Sequence, residues 1–123
     1  MPVNFIDLGD AVREITDVLP LSIFEIWKML KKYCDNMIGV IITEDRNIVV
    51  DISQYVSTDL VSEIASEVRI ALLDMVRSEP VVNYDDVVET LKRVVEKLGG
   101  DKYIEVIDMS DGKTGWLFLI RVL

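Results

Sequence analysis

Two runs of apolar and β-branched residues constrain the fold of this chain more than any other feature of its sequence. Residues 37–42 are Met-Ile-Gly-Val-Ile-Ile, and residues 116–120 are Trp-Leu-Phe-Leu-Ile. Neither run alternates between apolar and polar side chains, so a strand built from it would be apolar on both faces. Strands of this kind lie in the interior of a sheet that is covered on both faces. The sequence therefore predicts two interior strands, one in each half of the chain.

Each run is joined to a second strand-like segment by a short polar turn. Two β-branched runs separated by a few turn-forming residues are typical of a β-hairpin. Asp51 interrupts the second strand of the first pair and indicates that this strand has one exposed face. The predicted hairpins cover residues 37–52, with a turn at 44–47, and residues 103–123, with a turn at 110–115.

Four segments carry apolar residues at helical spacing. Ser22 followed by Glu25 has the pattern of a capping box at the start of the second segment. Ser57 is the expected cap of the third segment, which Pro80 ends, and Asn83 is the expected cap of the fourth. The four predicted helices cover residues 7–19, 22–35, 58–79 and 84–98.

These elements predict a single α+β domain over residues 1–123, with a small, mostly antiparallel sheet of two hairpins packed by three to four helices. A chain of 123 residues has the length of one domain, and it contains no linker, repeat or low-complexity segment. Hydrophobic residues make up 50% of it, which is much for a domain of this size. Two interpretations stay open: burial of the surplus against a second subunit, or a core rich in valine and isoleucine.

The charge balance disfavours nucleic acid and anionic membranes as partners. The formal net charge is −9, and no basic run is longer than the pair Lys31-Lys32. Nucleic-acid binding draws most of its affinity from Lys and Arg contacts to phosphates. No secretory signal and no apolar stretch of membrane-spanning length is found, so we expect no membrane association and a cytoplasmic location. The abundance of Glu, Lys, Val and Ile is compatible with a thermophilic source.

The residue types that most enzymes use are largely missing. The chain has no histidine, which excludes Ser-His-Asp and Cys-His arrangements. Its one cysteine, Cys34, is expected to be structural. Gly112-Lys113-Thr114 resembles the end of a phosphate-binding loop, but Ile107 stands where that motif needs its first glycine, so a hairpin turn explains the residues better. We therefore predict no catalytic residues, no cofactor and no dedicated metal site.

Two sets of side chains keep other interpretations open. Acidic pairs could hold a hard cation, although none has the spacing of a calcium loop; these are Glu44-Asp45, Asp85-Asp86 and Asp108 with Asp111. Four aromatic residues are predicted either to pack in the core or to anchor an interface; these candidate interface residues are Trp27, Tyr33, Trp116 and Phe118.

Residues 37–51, Met-Ile-Gly-Val-Ile-Ile-Thr-Glu-Asp-Arg-Asn-Ile-Val-Val-Asp, look like the first hairpin of Roadblock/dynein-light-chain domains. Those domains place a helix, a glycine-containing apolar strand, an acidic turn and a second strand before a long helix. Residues 103–123 resemble the later strands, and the resemblance covers about two thirds of the chain. The helix at 84–98 is additional, and a fifth strand and a final helix are missing. The resemblance implies a dimerising scaffold that docks a partner such as a small GTPase, without catalysis.

The sequence therefore favours a non-enzymatic protein-interaction or scaffold domain that forms a homo-oligomer and contacts another protein. The alternative is a winged-helix-like regulatory or interaction protein, in which the helix at 84–98 would be the recognition helix and the last hairpin the wing. An enzyme that uses paired carboxylates is the third hypothesis.

Overall fold

The computed structural model describes residues 22–99, 104–110 and 115–122 of the chain. The helix predicted at residues 7–19 lies outside these residues. The described helices are α1 (Ile23–Tyr33), α2 (Asp59–Ser78) and α3 (Tyr84–Lys97). The described strands are β1 (Met37–Thr43), β2 (Ile48–Ile52), β3 (Ile104–Ser110) and β4 (Gly115–Val122).

The four strands form one antiparallel sheet in the order β2-β1-β4-β3. β1 and β4 are the two central strands, as their unbroken apolar sequences predicted. The register between them places Val40 opposite Phe118 and Met37 opposite Arg121. The α+β class and the antiparallel sheet predicted from the sequence are therefore confirmed.

Helices cover both faces of the sheet. Alternate residues of a strand point to opposite faces, and in β1 and β4 the side chains on both faces are apolar and need to be buried. Ile38, Val40 and Ile42 of β1 contact the α2–α3 layer, whereas Met37 and Ile41 contact α1. The buried residues of the α2–α3 core are Ile38, Val40, Ile42, Val61, Ile64, Val68, Leu72, Val87, Leu91, Val94, Val95, Phe118, Ile120 and Val122. The buried residues of the α1 core are Ile23, Ile26, Trp27, Cys34, Met37, Ile41, Leu117 and Leu119.

The indole of Trp27 packs directly on the backbone of Gly39 in β1. A Cβ atom at position 39 would lie 2.5 Å from Cδ2 of that ring, closer than any side chain tolerates. The glycine in the first apolar run therefore makes room for the tryptophan of α1, and this contact holds the helix close to the sheet.

The start of α2 differs by one residue from the prediction. Thr58 caps the helix, because its hydroxyl accepts the N–H of Leu60 at 3.3 Å. Ser57, the predicted cap, exchanges two hydrogen bonds of 2.8 Å with the side chain of Asn36 instead. The other predicted caps, Ser22 for α1 and Asn83 for α3, are confirmed.

Candidate functional site

The four aromatic residues predicted for an interface fall into different environments. Trp27 is 4% exposed and Phe118 is fully buried, so both belong to the core of the chain. For these two residues the structure shows the first of the two predicted roles, packing in the core. Tyr33 is 84% exposed at the end of α1, and Trp116 is partly buried at the start of β4. These two remain accessible, but they lie on opposite faces of the sheet.

Trp116 belongs to an aromatic cluster at one end of the sheet. Its ring meets Tyr84 edge-on, with centroids 5.9 Å apart, and Phe118 lies 5.7 Å from Tyr84 and 6.4 Å from Trp116. An apolar cavity of about 320 Å³ lies beside this cluster. It is lined by Ile42, Thr43, Glu44, Arg46, Pro80, Val81, Val82, Gly115 and Trp116.

Arg46 fixes the wall of this cavity by linking the β1–β2 turn to the end of α2. Its backbone has a φ of 66°, in the left-handed region. Nη2 donates to the carbonyl oxygens of Val76 at 2.7 Å and Glu79 at 2.6 Å. A cation at this position satisfies helix carbonyls that lack an intrahelical partner and complements the negative end of the helix dipole.

A second groove, of about 350 Å³, lies between α2 and α3 and is acidic. Asp86 of the predicted pair Asp85-Asp86 lines it, whereas Asp85 is exposed at the start of α3. Glu44 and Asp45 are exposed in the β1–β2 turn; the side chain of Asp108 and residue Asp111 lie outside the described set. Within that set, no three carboxylate or thiol side chains meet in a way that could hold a metal ion.

Asp51 of β2 is bound by two side chains of α1. Its Oδ2 accepts the indole N–H of Trp27 at 2.9 Å and a hydrogen from Nζ of Lys31 at 3.1 Å. Partial burial by itself raises the pKa of this carboxyl. The hydrogen bonds from Trp27 and Lys31, the charge of Lys31 and the nearby N–H of Ile52 outweigh burial, so that the pKa lies below its ordinary value. The sequence placed Asp51 on an exposed face, and its contacts come from α1.

Cys34, at the end of α1, is 7% exposed. Burial raises the pKa of its thiol, Arg121 lowers it in part, and Asp35 raises it further. A buried thiol with a raised pKa stays protonated and is a poor nucleophile. This environment suits the structural role that the sequence predicted.

Apolar side chains on the outer surfaces of α1 and α2 were not singled out by sequence reasoning. The apolar surface of α1 is broad enough to suggest a central packing helix, but Phe24 and Met29 are 47% and 40% exposed. On α2, Ile70 and Leu73 are 56% and 37% exposed. The sequence does contain apolar residues outside the stripe that is buried in each helix. Spacing alone does not show which stripe faces the sheet and which is exposed.

Comparisons with family models, with curated proteins and with solved structures find no match to this chain. In the described ranges, no helix combines the length and apolar content that a membrane crossing requires. The function is therefore argued from the geometry of the chain itself.

Proposed function

We propose that this chain is a non-enzymatic protein-interaction or scaffold domain that forms a homodimer and contacts another protein. The observation that carries the proposal is the exposed apolar pair Ile70 and Leu73 on α2. These residues lie three positions apart and therefore neighbour each other on the helix surface.

The exposed pair is separate from the stripe that holds α2 on the sheet. Val61, Ile64, Val68 and Leu72 are fully buried and already supply the contacts of α2 with the core. Ile70 projects away from this stripe, about 200° around the helix from Val68. An exposed apolar patch on a helix that is already anchored is typical of an interface. Pairing of this patch with its own copy gives a closed dimer.

The resemblance to Roadblock/dynein-light-chain domains stays a prediction and points in the same direction. In the described residues, α1, the β1–β2 hairpin and the long helix α2 follow each other in the order that the resemblance expects. A small GTPase is the kind of partner that this resemblance implies.

The strand order gives less support to the winged-helix alternative. A wing is a hairpin that extends from a helical core toward its ligand. Here β4 lies between β1 and β3 in the centre of the sheet, and residues Leu117 to Val122 are buried. β4, the second strand of the last hairpin, therefore supplies side chains to both cores.

Light scattering at micromolar concentration tests the dimer. We expect the native chain to have the mass of two copies, and Ile70→Glu to have the mass of one, because a carboxylate in the patch would have to be buried on association. Gln54→Glu adds the same charge at an exposed site outside the patch and is expected to stay dimeric. A monomeric native chain, or equal masses for both variants, would contradict this interface.

A further inference from the structure

The outer edge of β2 carries backbone groups that no described strand pairs with. β2 is the last strand of the sheet on its side. Thr43 N–H donates to Asn47 O, and Ser53 N–H donates to Met37 O. Because this pattern alternates along an antiparallel pair, the register turns the N–H and C=O groups of Ile48 and Val50 away from β1. They form a short open edge to which another strand can be added.

On the α1 face of the sheet, a basic side chain flanks this edge. The hydrogen bond from Lys31 to Asp51 shows which side of α1 faces β2. Phe24 and Lys28 lie seven and three positions before Lys31, on the same side of the helix, and both are exposed. The charge of Lys31 is already compensated by Asp51, whereas Lys28 extends toward solvent.

On the opposite face of the sheet, α2 packs over β2 and contributes an arginine. Ala71 and Ser78 line the groove between α2 and α3, so that side of α2 faces α3. Arg69 lies two residues before Ala71, about 200° around the helix, and therefore projects to the β2 side. It is exposed. The open edge is thus flanked by one cation on each face, and within the described residues neither Lys28 nor Arg69 forms an ion pair. The net charge of the chain is −9.

We propose that the edge of β2 binds an extended, acidic segment of a partner protein, which adds to the sheet as a fifth strand. This inference rests on the proposed function, that the chain acts through protein contacts, and it names the chemistry of the partner. A carboxylate on each face of the added segment would meet Lys28 and Arg69. Val49, which is 40% exposed, and Phe24 provide apolar contacts on the α1 face.

The same charges disfavour a second copy of this chain at the edge. Two β2 strands that pair antiparallel about a twofold axis perpendicular to the sheet keep equivalent faces on the same side. The two Lys28 side chains would then approach each other on one face, and the two Arg69 side chains on the other. Like charges brought together in this way oppose association. An acidic strand would instead bring opposite charges together on both faces. Charge complementarity therefore favours a different protein as the partner.

Neighbouring residues of a strand project to opposite faces of the sheet. The segment that fits best therefore carries two adjacent acidic residues, one for each cation, between apolar residues. A capped eight-residue peptide with a central Val-Asp-Glu-Val sequence is a suitable probe, and a peptide with Val-Lys-Lys-Val in its place is its matched control.

The experiment titrates the full chain with each peptide at low salt and follows binding by fluorescence anisotropy and backbone amide NMR. We expect the acidic peptide to bind, to shift the amide signals of Ile48 and Val50, and to lose affinity as salt rises. Lys28→Glu and Arg69→Glu should each weaken binding at least fivefold. Lys92→Glu, on the exposed surface of α3, should leave it unchanged.

Val50→Pro is the second variant, because it removes an N–H that points away from β1 and leaves the hydrogen bonds between β1 and β2 intact. With folding verified by circular dichroism, it should abolish binding.

Equal binding of the lysine peptide, or unchanged amide signals at Ile48 and Val50, would overturn the proposal. So would dissociation of the native dimer by Val50→Pro, which would assign the edge to a second copy. Peptide binding that appears only after deletion of residues 2–21 would overturn it too, because the chain itself would occupy the edge. The dimer is tested by Ile70→Glu and the edge by Lys28→Glu and Val50→Pro, which lie on other elements than the dimer patch, so either proposal can fail alone.

Discussion

At the scale of single residues, the most informative group is Asp51. It receives hydrogen bonds from Trp27 and Lys31, and Trp27 in turn packs on Gly39. The sequence contains each of these residues but not the link between them, since 24 positions separate Trp27 from Asp51. One carboxylate therefore orients the indole, and the indole requires a glycine in the neighbouring strand.

We predict that Asp51→Asn lowers the free energy of unfolding by about 1 kcal/mol at pH 7, because the amide keeps an acceptor for Trp27 but loses the charge that binds Lys31. The pKa of Asp51 is lowered by folding, so its stabilisation is present above the ordinary value of 3.8. It is lost as the pH falls through the lowered value of the folded state. Urea unfolding from pH 7 to pH 2 should show the difference between native and variant chains shrinking below about pH 4.

Asp45→Asn, in the exposed β1–β2 turn, is the control for this measurement. If its unfolding curve depends on pH in the same way as that of Asp51→Asn, the contribution does not come from the contacts of Asp51.

At the scale of secondary-structure elements, the β1–β2 turn does more than reverse the chain. Arg46 in this turn donates to two carbonyl oxygens at the end of α2, 30 and 33 residues later in the chain. The sequence predicted both the turn and the end of the helix near Pro80. It could not predict their contact, because local pattern does not show that α2 returns along β2 toward the turn.

We predict that Arg46→Met lowers the free energy of unfolding by about 1–3 kcal/mol, because two carbonyls lose a charged donor. Both residues take the same left-handed backbone conformation at this position, so the change in backbone strain is small. Hydrogen exchange should accelerate at the amide of Glu79, which donates to Met75 O in the last turn of α2. Arg77→Met, exposed in that same turn, should leave this exchange rate close to its native value.

At the scale of the whole molecule, the two cores share one sheet. β1 and β4 contribute alternate side chains to the α1 core and to the α2–α3 core. Trp27 lies in the first of these cores, and Trp116 packs against the second. β1 and β4 need both cores, because each core buries one face of these two strands. We therefore expect the α1 layer and the α2–α3 layer to unfold together.

We predict that the two single-tryptophan variants, Trp27→Phe and Trp116→Phe, each unfold in one transition. Within each variant, the urea midpoint from fluorescence should match the midpoint from far-ultraviolet circular dichroism. Fluorescence reports one face of the sheet in each variant, and circular dichroism reports all elements. Separate midpoints in either variant would show that one helical layer unfolds independently of the other.

Within the described residues, the sequence by itself determined the element types, two of the helix caps and both central strands. Unbroken apolar runs can lie only where both faces are buried, and the capping residues act within a few positions of the helix that they begin. Tertiary structure alone decided the strand order, the packing of Trp27 on Gly39, the contacts of Asp51 and Arg46, and the open edge of β2. These features depend on which distant segments meet, and the spacing of residues along a chain does not specify that.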